Sequence, residues 1–489
     1  MPRGPGPGET PFMSRKSKQS VIVIGGGISG LATAWWLHKA SVDVVVLERD
    51  RVPGGTMRTV RENGWLIETG PNSALETTPL FQTLFDDLGL RDEVLYANES
   101  SNNRYILREG ELHALPMSPG AFFRSRLWSI GGKLRLLKEP FVRRAEREET
   151  VAEFVERRLG REFLDYAINP FVAGVYAGNP EELSVRAAFP KLYRLEEKYG
   201  GLIRGQIKGR KERRERAEQS KDRARMFSFK QGMQTLPAAL HRALAGRVKT
   251  SMEVRQISFT DDARVPHFEV RGRNKKTAFK LMADAVVTAI PTGGTAALLS
   301  RFGKPLSDSL SRIPYPPVAE VYLGFRSEDI GRKLDGFGFL VPARENRKIL
   351  GTIWSSALFP GRAPQGFEAL TTFVGGSRQP ELVEYDDEQL IQLVTQELGQ
   401  IMGVRDTPCI ARVTKWQHAI PQYILGHLDI MEELEYLERR HPGLFISGNF
   451  RGGISVGDCV MRSERVARQV LEHLKNPERR ITTTEGAGL

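Results

Sequence analysis

Apolar residues fall along this chain in a few distinct rhythms. Short, mostly apolar runs at 21–24, 44–47, 285–290 and 444–447 read as buried strands. The first runs straight into Gly25, Gly26, Gly27, Ile28, Ser29 and Gly30, with a helical stretch at 31–40 behind it; the second ends on Glu48. From about 79 to 225 the pattern predicts mainly helix, with segments near 80–88, 151–159 and 163–167. Alternation returns at 254–259 and 268–272. Residues 315–375 are punctuated by Gly and Pro and predict strands at 318–325, 336–342, 349–354 and 370–376. A helix near 388–401 follows, then a strand at 444–447, a glycine loop at 452–459 and a helix at 463–474. A strand–glycine–helix element thus stands at both ends of the chain. The fold class this predicts is α/β, with a Rossmann-like cofactor domain assembled from discontinuous segments and other domains inserted between them.

The glycine spacing at 25–30 has a physical meaning. Gly25 permits a tight turn, Gly27 lets the backbone approach a pyrophosphate, and Gly30 lets helix pack closely on strand. The helix N-terminus offers free N–H groups to the phosphates, and Glu48 stands where a carboxylate accepts hydrogen bonds from a ribose diol. A second glycine loop, Gly54 and Gly55 before Thr56, comes directly after that acid, and Gly70, Pro71, Asn72 and Ser73 follow. A chain binding only NAD continues into another βαβ unit at this point. Paired loops instead suit a long dinucleotide lying extended, which is FAD.

Composition narrows the rest. The 489 residues leave room for two or three domains. No run of about 18 apolar residues predicts a membrane span, and no apolar run before residue 21 predicts a signal peptide. Cys409 and Cys459 lack metal spacing and suit a reducing cytoplasm; the eight histidines form no ligand cluster, so no metal is expected. Charge is concentrated. Residues 124–147 hold eight Lys/Arg against two Glu, and residues 204–225 hold ten against four acids, each a net +6, which together equal the whole formal charge of +12. Phe122, Phe123, Leu127, Trp128 and Ile130 lie in or just before the first window. Cations beside aromatic and aliphatic residues suit an anionic membrane surface; no nucleic-acid module is recognisable.

Several segments together carry a resemblance. Residues 21–30, 48–58 and 70–73 are similar to the FAD fingerprint of the amine oxidase and phytoene desaturase superfamily. More specific are Gly174-Val175-Tyr176-Ala177-Gly178-Asn179 with Leu183-Ser184 and Phe189-Pro190, Asn103-Arg104-Tyr105 leading to Leu112-His113-Ala114-Leu115-Pro116, residues 336–342, and Ile420-Pro421-Gln422-Tyr423 with Gly426-His427. These resemble the oxygen-dependent protoporphyrinogen oxidase family of haem synthesis, with its coproporphyrinogen-oxidising relatives, over about residues 20–474.

The resemblance implies FAD contacts at Gly25, Gly26, Gly27, Ile28, Ser29, Gly30, Glu48 and Thr56. It places Gly70, Pro71, Asn72 and Ser73 near the flavin ring, Val254 near the adenine, Trp416 by the ring, and Ile454, Ser455 and Val456 as backbone contacts. For substrate it implies Arg104 near a propionate and Phe337, Leu340, Ile353, Phe373 and Gly174 around the macrocycle. No catalytic side chain is implied, because non-covalent FAD carries the chemistry. The expected units are a disordered tail at 1–20, FAD-binding parts at 21–85, 216–295 (with an edge of the substrate domain) and 413–474, a helical membrane-associating insert at 86–215, a β-rich substrate domain at 296–412, and a second tail at 475–489.

The implied activity is oxidation of protoporphyrinogen IX to protoporphyrin IX with O2, in the cytoplasm and peripheral on the inner face of the membrane. A homodimer is compatible with it. Oxidation of coproporphyrinogen III, another flavin amine oxidase or carotene desaturase activity, and a non-enzymatic lipid-binding protein of the escort or dissociation-inhibitor type are the alternatives. Ser455, Gly457 and the 196–201 segment depart from the commoner family pattern.

Overall fold

Val21, Ile22, Val23 and Ile24 are buried on both sides and form the middle strand, Ser20–Ile24, of a five-stranded parallel sheet. The computed structural model describes residues 19–101, 103–215, 224–259, 268–302 and 304–475; the expected tails otherwise lie outside the described residues. The strand order is Val248–Lys249, Asp43–Leu47, Ser20–Ile24, Ala285–Thr288, Leu444–Ile446, so the sheet is drawn from four distant stretches of chain. Val21 and Val23 pack beneath the helices Ile28–Lys39 and Val456–Lys475, with Leu31, Leu37, Val460 and Val466. Ile22 and Ile24 face the opposite layer, where Ile257, Val270, Leu298 and Leu434 come from an antiparallel three-stranded sheet and two helices. A parallel sheet covered on both faces explains why these strands read as unbroken apolar runs.

The last helix begins at Val456, seven residues before the pattern had predicted, because Ser455 Oγ caps it by accepting from Asp458 N at 3.2 Å. Its Ser463 hydroxyl reaches Ser29 O at 2.8 Å and ties the two ends of the chain together. Gly457 suits its neighbours, since a Cβ there would come 2.6 Å from Thr77 Oγ1.

A seven-stranded sheet forms the second layer system. Its order is Ile410–Trp416, Val318–Arg326, Phe367–Gly375, Gly351–Trp354, Gly336–Leu340, Asn103–Arg108, Glu111–Ala114. One face packs on the helix Asp387–Met402 through Val321, Phe325, Phe339, Trp354 and Val374. That helix opens on an Asp386–Gln389 capping box and closes on left-handed Gly403. Three strands correct the prediction of mainly helix from 79 to 225. Asn103–Arg108 and Glu111–Ala114 are a hairpin belonging to this sheet, and Val94–Tyr96 pairs with Met226–Phe229. Asn103–Arg108 also pairs with Gly336–Leu340, and this partner, like Met226–Phe229, lies more than a hundred residues away, so local periodicity gave no sign of these strands.

The helical region proper runs through Pro119–Arg124, Ile130–Arg135, Val151–Leu159, Asn169–Tyr176, Pro190–Tyr199 and Leu202–Glu215. Its core stacks Trp128 on Phe163 at 4.8 Å and 8°. Beside it Arg158, fully buried, pairs with Glu139 at 3.0 Å and with Glu196, while Arg157 joins Glu149 and Glu196. Glu139 also accepts from Leu202 N and Ile203 N at 2.7 and 3.0 Å and so anchors the start of the basic helix. The departure from the family pattern at 196–201 therefore falls in a buried ionic network of this region.

Candidate active site

The C-terminal edge of the parallel sheet gathers the glycine-rich segments. Gly25 turns with φ +105°, a conformation that favours glycine. A Cβ on Gly30 would collide with the Gly25 carbonyl, so helix Ile28–Lys39 sits directly on the turn. Gly27 faces open space: the nearest atom to a Cβ there is Gly55 Cα at 4.0 Å, and no side chain caps the helix it precedes. The Gly54 N–H donates to Gly26 O at 2.8 Å, which lays the second glycine loop beside the first. A Cβ on Gly70 would collide with the Thr56 carbonyl, bringing the third loop into the same group.

Glu48 is buried, its carboxylate accepting from Gly26 N at 2.6 Å and from Asp50 N at 2.7 Å. Met252 N donates to Glu48 O at 2.8 Å, so Val254 stands two residues along a strand that begins at the acid. The uncapped helix start, the open Gly27 cradle and the buried acid fit an extended dinucleotide.

The loop after strand Leu444–Ile446 leads into helix Val456–Lys475, which packs beside helix Ile28–Lys39, and it is held by side chains that the glycine pattern does not reveal. Tyr423 Oη donates to Asn449 O at 2.7 Å and accepts from Gly453 N at 2.9 Å. Its ring stacks on His427 at 4.1 Å and 14°. Burial pushes the His427 imidazole down to about 4, so the ring is neutral and meets Phe450 O at 3.0 Å. Ile454, Ser455 and Val456 follow this clamped segment.

Strand register sorts the substrate candidates. Side chains alternate across a sheet. Pairings Gly338↔Arg104, Gly338↔Ile353, Leu340↔Gly351, Gly351↔Phe373, Phe373↔Glu320 and Val318↔Trp416 therefore put Arg104, Leu340, Ile353, Phe373, Glu320 and Trp416 on one face. This is the face opposite the Phe339 and Trp354 core. Phe337 is the extra residue of a bulge and lies half-buried. Helix Asn169–Tyr176 covers the face at Leu340, whose side chain would collide with a Cβ on Gly174. Trp416 Nε1 donates to Thr69 O at 2.9 Å, so the other end of the face meets the Gly70 loop. Five strand spacings, about 24 Å in all, separate the Trp416 strand from the Arg104 strand. Arg104 is exposed, and its guanidinium has no ion-pair partner among the described residues.

Three charged groups at this interface escaped the sequence pattern. Glu68 is buried, accepts from Thr59 Oγ1 and Met233 N, and lies 3.8 Å from Arg362. Burial outweighs that nearby cation and pushes its carboxyl up to about 7. Arg362 is itself lowered by burial and donates to Ser228 Oγ at 2.6 Å. Glu320 accepts from Asn72 Nδ2 at 2.8 Å. The signal for Glu320 was available: an acid at an inward position of the apolar strand 318–325.

The comparisons with known proteins agree with this geometry. Residues 28–471 match the family described as flavin containing amine oxidoreductase. Protoporphyrinogen oxidase 2, chloroplastic/mitochondrial, of Arabidopsis thaliana is 34% identical, the match covering 94% of this chain and 95% of the relative. Coproporphyrinogen III oxidase of Bacillus subtilis is 29% identical, with 94% and 99% covered. Cyclohexylamine oxidase of Brevibacterium oxydans superposes with a TM-score of 0.67 at 15% identity, covering 94% of this chain and 100% of that one, a likeness of fold. The chain belongs to the flavin-containing amine oxidoreductases and, within them, to the protoporphyrinogen oxidase family. It is an oxidoreductase, and its cofactor is FAD.

Proposed function

We propose that this enzyme oxidises protoporphyrinogen IX to protoporphyrin IX with O2 as the terminal acceptor, its FAD held non-covalently. The carrying observation is the sheet face: Arg104, a guanidinium with no ion-pair partner among the described residues, at one end, Leu340, Ile353 and Phe373 between, and the Trp416 edge against the Gly70 loop at the other. Such a strip suits a flat apolar macrocycle with carboxylates at one side. Bound FAD supplies the hydride acceptor for the meso carbon and passes electrons on to O2. The chain's part is to orient the ring system, hold its propionates at Arg104 and keep water from the reacting edge.

One observation favours protoporphyrinogen over coproporphyrinogen, whose four propionates would bring carboxylates to both ends of the strip. The flavin end carries Glu320, which burial holds in its protonated form and which has no cation beside it among the described residues, so a propionate placed there would be desolvated with no counter-charge. Oxygen uptake tests the reading. Six electrons leave each porphyrinogen, so three molecules of O2 are expected per porphyrin formed, with peroxide as product. Porphyrin appearing without oxygen uptake would remove the proposal.

We further propose that the helical region attaches the enzyme to an anionic membrane. Among the described residues no helix is long and apolar enough to cross one. Leu127 and Trp128, which the sequence suggested for this surface, are buried in the core. Ile130, suggested with them, is exposed, and it joins Leu134, Leu137 and Phe141 at helical spacing; their respective exposures are 78%, 57%, 67% and 81%. Arg124, Arg126, Lys138 and Arg143 are exposed around that ridge. An apolar ridge ringed by cations suits insertion beneath anionic headgroups. Flotation with anionic vesicles should recover the protein, and neutral vesicles should recover much less; added salt should weaken the attachment. Equal recovery with both lipids would contradict it.

A further inference from the structure

Glu320 stands on the substrate-facing side, one strand in from the Trp416 edge, 3% exposed, opposite Phe373 on one neighbouring strand and Thr414 on the other. Trp416 lies opposite Val318, two residues away. The Glu320 Oε1 accepts a hydrogen bond from Asn72 Nδ2 at 2.8 Å, and the same Nδ2 donates to Gly70 O at 3.0 Å. A carbonyl can only accept, so the Gly70 bond fixes which end of the Asn72 carboxamide carries the nitrogen. Asn72 Oδ1 therefore points the other way. It has no hydrogen-bond partner among the described residues, and the same is true of Glu320 Oε2.

Among the described residues, the groups around Glu320 offer it no cation. Tyr322 stands on its own strand. The Trp65–Glu68 strand contributes Glu68, a like charge. Arg362 is engaged by Glu68, Ser228 and Phe229, and Arg412, at the outer end of the neighbouring strand, is taken up by Glu62. Phe373, Thr371, Thr414 and Trp416 carry no charge. Desolvation, with Glu68 adding to it, holds the Glu320 carboxyl well above the usual carboxylate range despite the Asn72 bond. Burial therefore favours its protonated form.

We propose that Glu320 is a positioning residue of the redox site: it holds the Asn72 carboxamide so that Oδ1 is a fixed acceptor at the flavin–substrate junction, and its deprotonation depresses oxidation on the alkaline side. The inference rests on the reading of Asn72 as a neighbour of the flavin ring. The matching ligand chemistry is an N–H donor, supplied by the edge of the flavin ring or by a pyrrole of the substrate. Ionised Glu320 would set a negative charge in a buried site where negative charge also develops on reduction, so the alkaline form is the inactive one.

The test compares holoenzyme carrying Glu320→Gln or Glu320→Leu with wild type, reading kcat and KM against pH and, without substrate, the flavin midpoint potential against pH. Glutamine keeps the carbonyl acceptor and is always neutral, so kcat at pH 7 should stay within about twofold of wild type while the alkaline fall disappears. Leucine removes the acceptor, and kcat should drop by about 2- to 10-fold with KM nearly unchanged, the loss of one hydrogen bond. If the donor is the flavin ring, the potential–pH curve of wild type breaks at the alkaline limb and that of Glu320→Gln does not. If the donor is a pyrrole, the two curves coincide and only the rate differs. An alkaline limb that persists in Glu320→Gln, a wild type with no such limb, or a Glu320→Leu enzyme with full kcat would each overturn the proposal. Loss of FAD from both variants would also overturn it, by making Glu320 part of cofactor packing. Asn72→Ala with unchanged kcat and flavin spectrum would instead sink the reading of Asn72 on which the proposal rests.

Discussion

Gly27→Ala is expected to yield a folded protein without flavin. The position has φ −73° and ψ 179°, which alanine adopts freely, and its Cβ would meet nothing of the protein nearer than 4.0 Å. The added methyl enters only the space left for a pyrophosphate, which then loses its close approach to the helix N–H groups. Hydrogen bonds to a charged group contribute about 1.5–3 kcal/mol each, so losing two of them weakens FAD binding by more than about 100-fold. The melting temperature of the apoprotein should stay at the wild-type value. Gly30→Ala should behave differently, because its Cβ collides with the backbone carbonyl of Gly25 and the helix must shift whether or not FAD is present. Overpacking of this kind costs about 1–3 kcal/mol, so this apoprotein should melt lower as well as lose FAD. Thermal melts and FAD titration of the two variants side by side check the contrast. Equal destabilisation of both apoproteins would show that Gly27 is needed by the fold rather than by the cofactor.

Arg104→Ala is expected to lower kcat/KM by about 10- to 150-fold, mostly through KM, on the strength of one charge-assisted contact. Arg104 extends from the far side of the sheet face, with no carboxylate partner among the described residues to explain it as a surface ion pair. In the proposed binding mode the propionate at Arg104 lies far from the meso carbon that gives up hydride, so the contact would persist nearly unchanged into the transition state. Such uniform binding affects KM and leaves kcat alone. Arg104→Lys should recover only part of the loss, since an ammonium cannot reproduce the paired geometry of a guanidinium. Reoxidation of the reduced flavin by O2 should stay at the wild-type rate. A normal KM in Arg104→Ala, or loss of FAD, would make Arg104 structural.

The cofactor half was legible because its signals are local. Strand, glycines, helix and acid follow one another within residues 20–48, and turn chemistry and close packing dictate each residue type. The β-rich stretch from 318 to 376 was legible by alternation, and its four strands lie within a few residues of their predicted bounds. Asn103–Arg108 and Ile410–Trp416 were not, since each pairs with a strand far away in sequence and carries mixed polarity. Charge windows located the helical region's cations, but only the fold distinguished buried Trp128 from exposed Phe141. Glu320 needed both kinds of information: an inward acid in an apolar strand is visible in the sequence, while its partner Asn72 lies 248 positions away.

The central claim is that bound flavin takes hydride from a porphyrinogen on this sheet face. Anaerobic mixing of the holoenzyme with protoporphyrinogen IX and, in parallel, with coproporphyrinogen III, while following flavin absorbance, tests it most directly. Rapid bleaching of the flavin with protoporphyrinogen, slower or weaker bleaching with coproporphyrinogen, and return of the yellow colour on admitting oxygen are expected. Flavin that stays oxidised with both porphyrinogens would contradict the account.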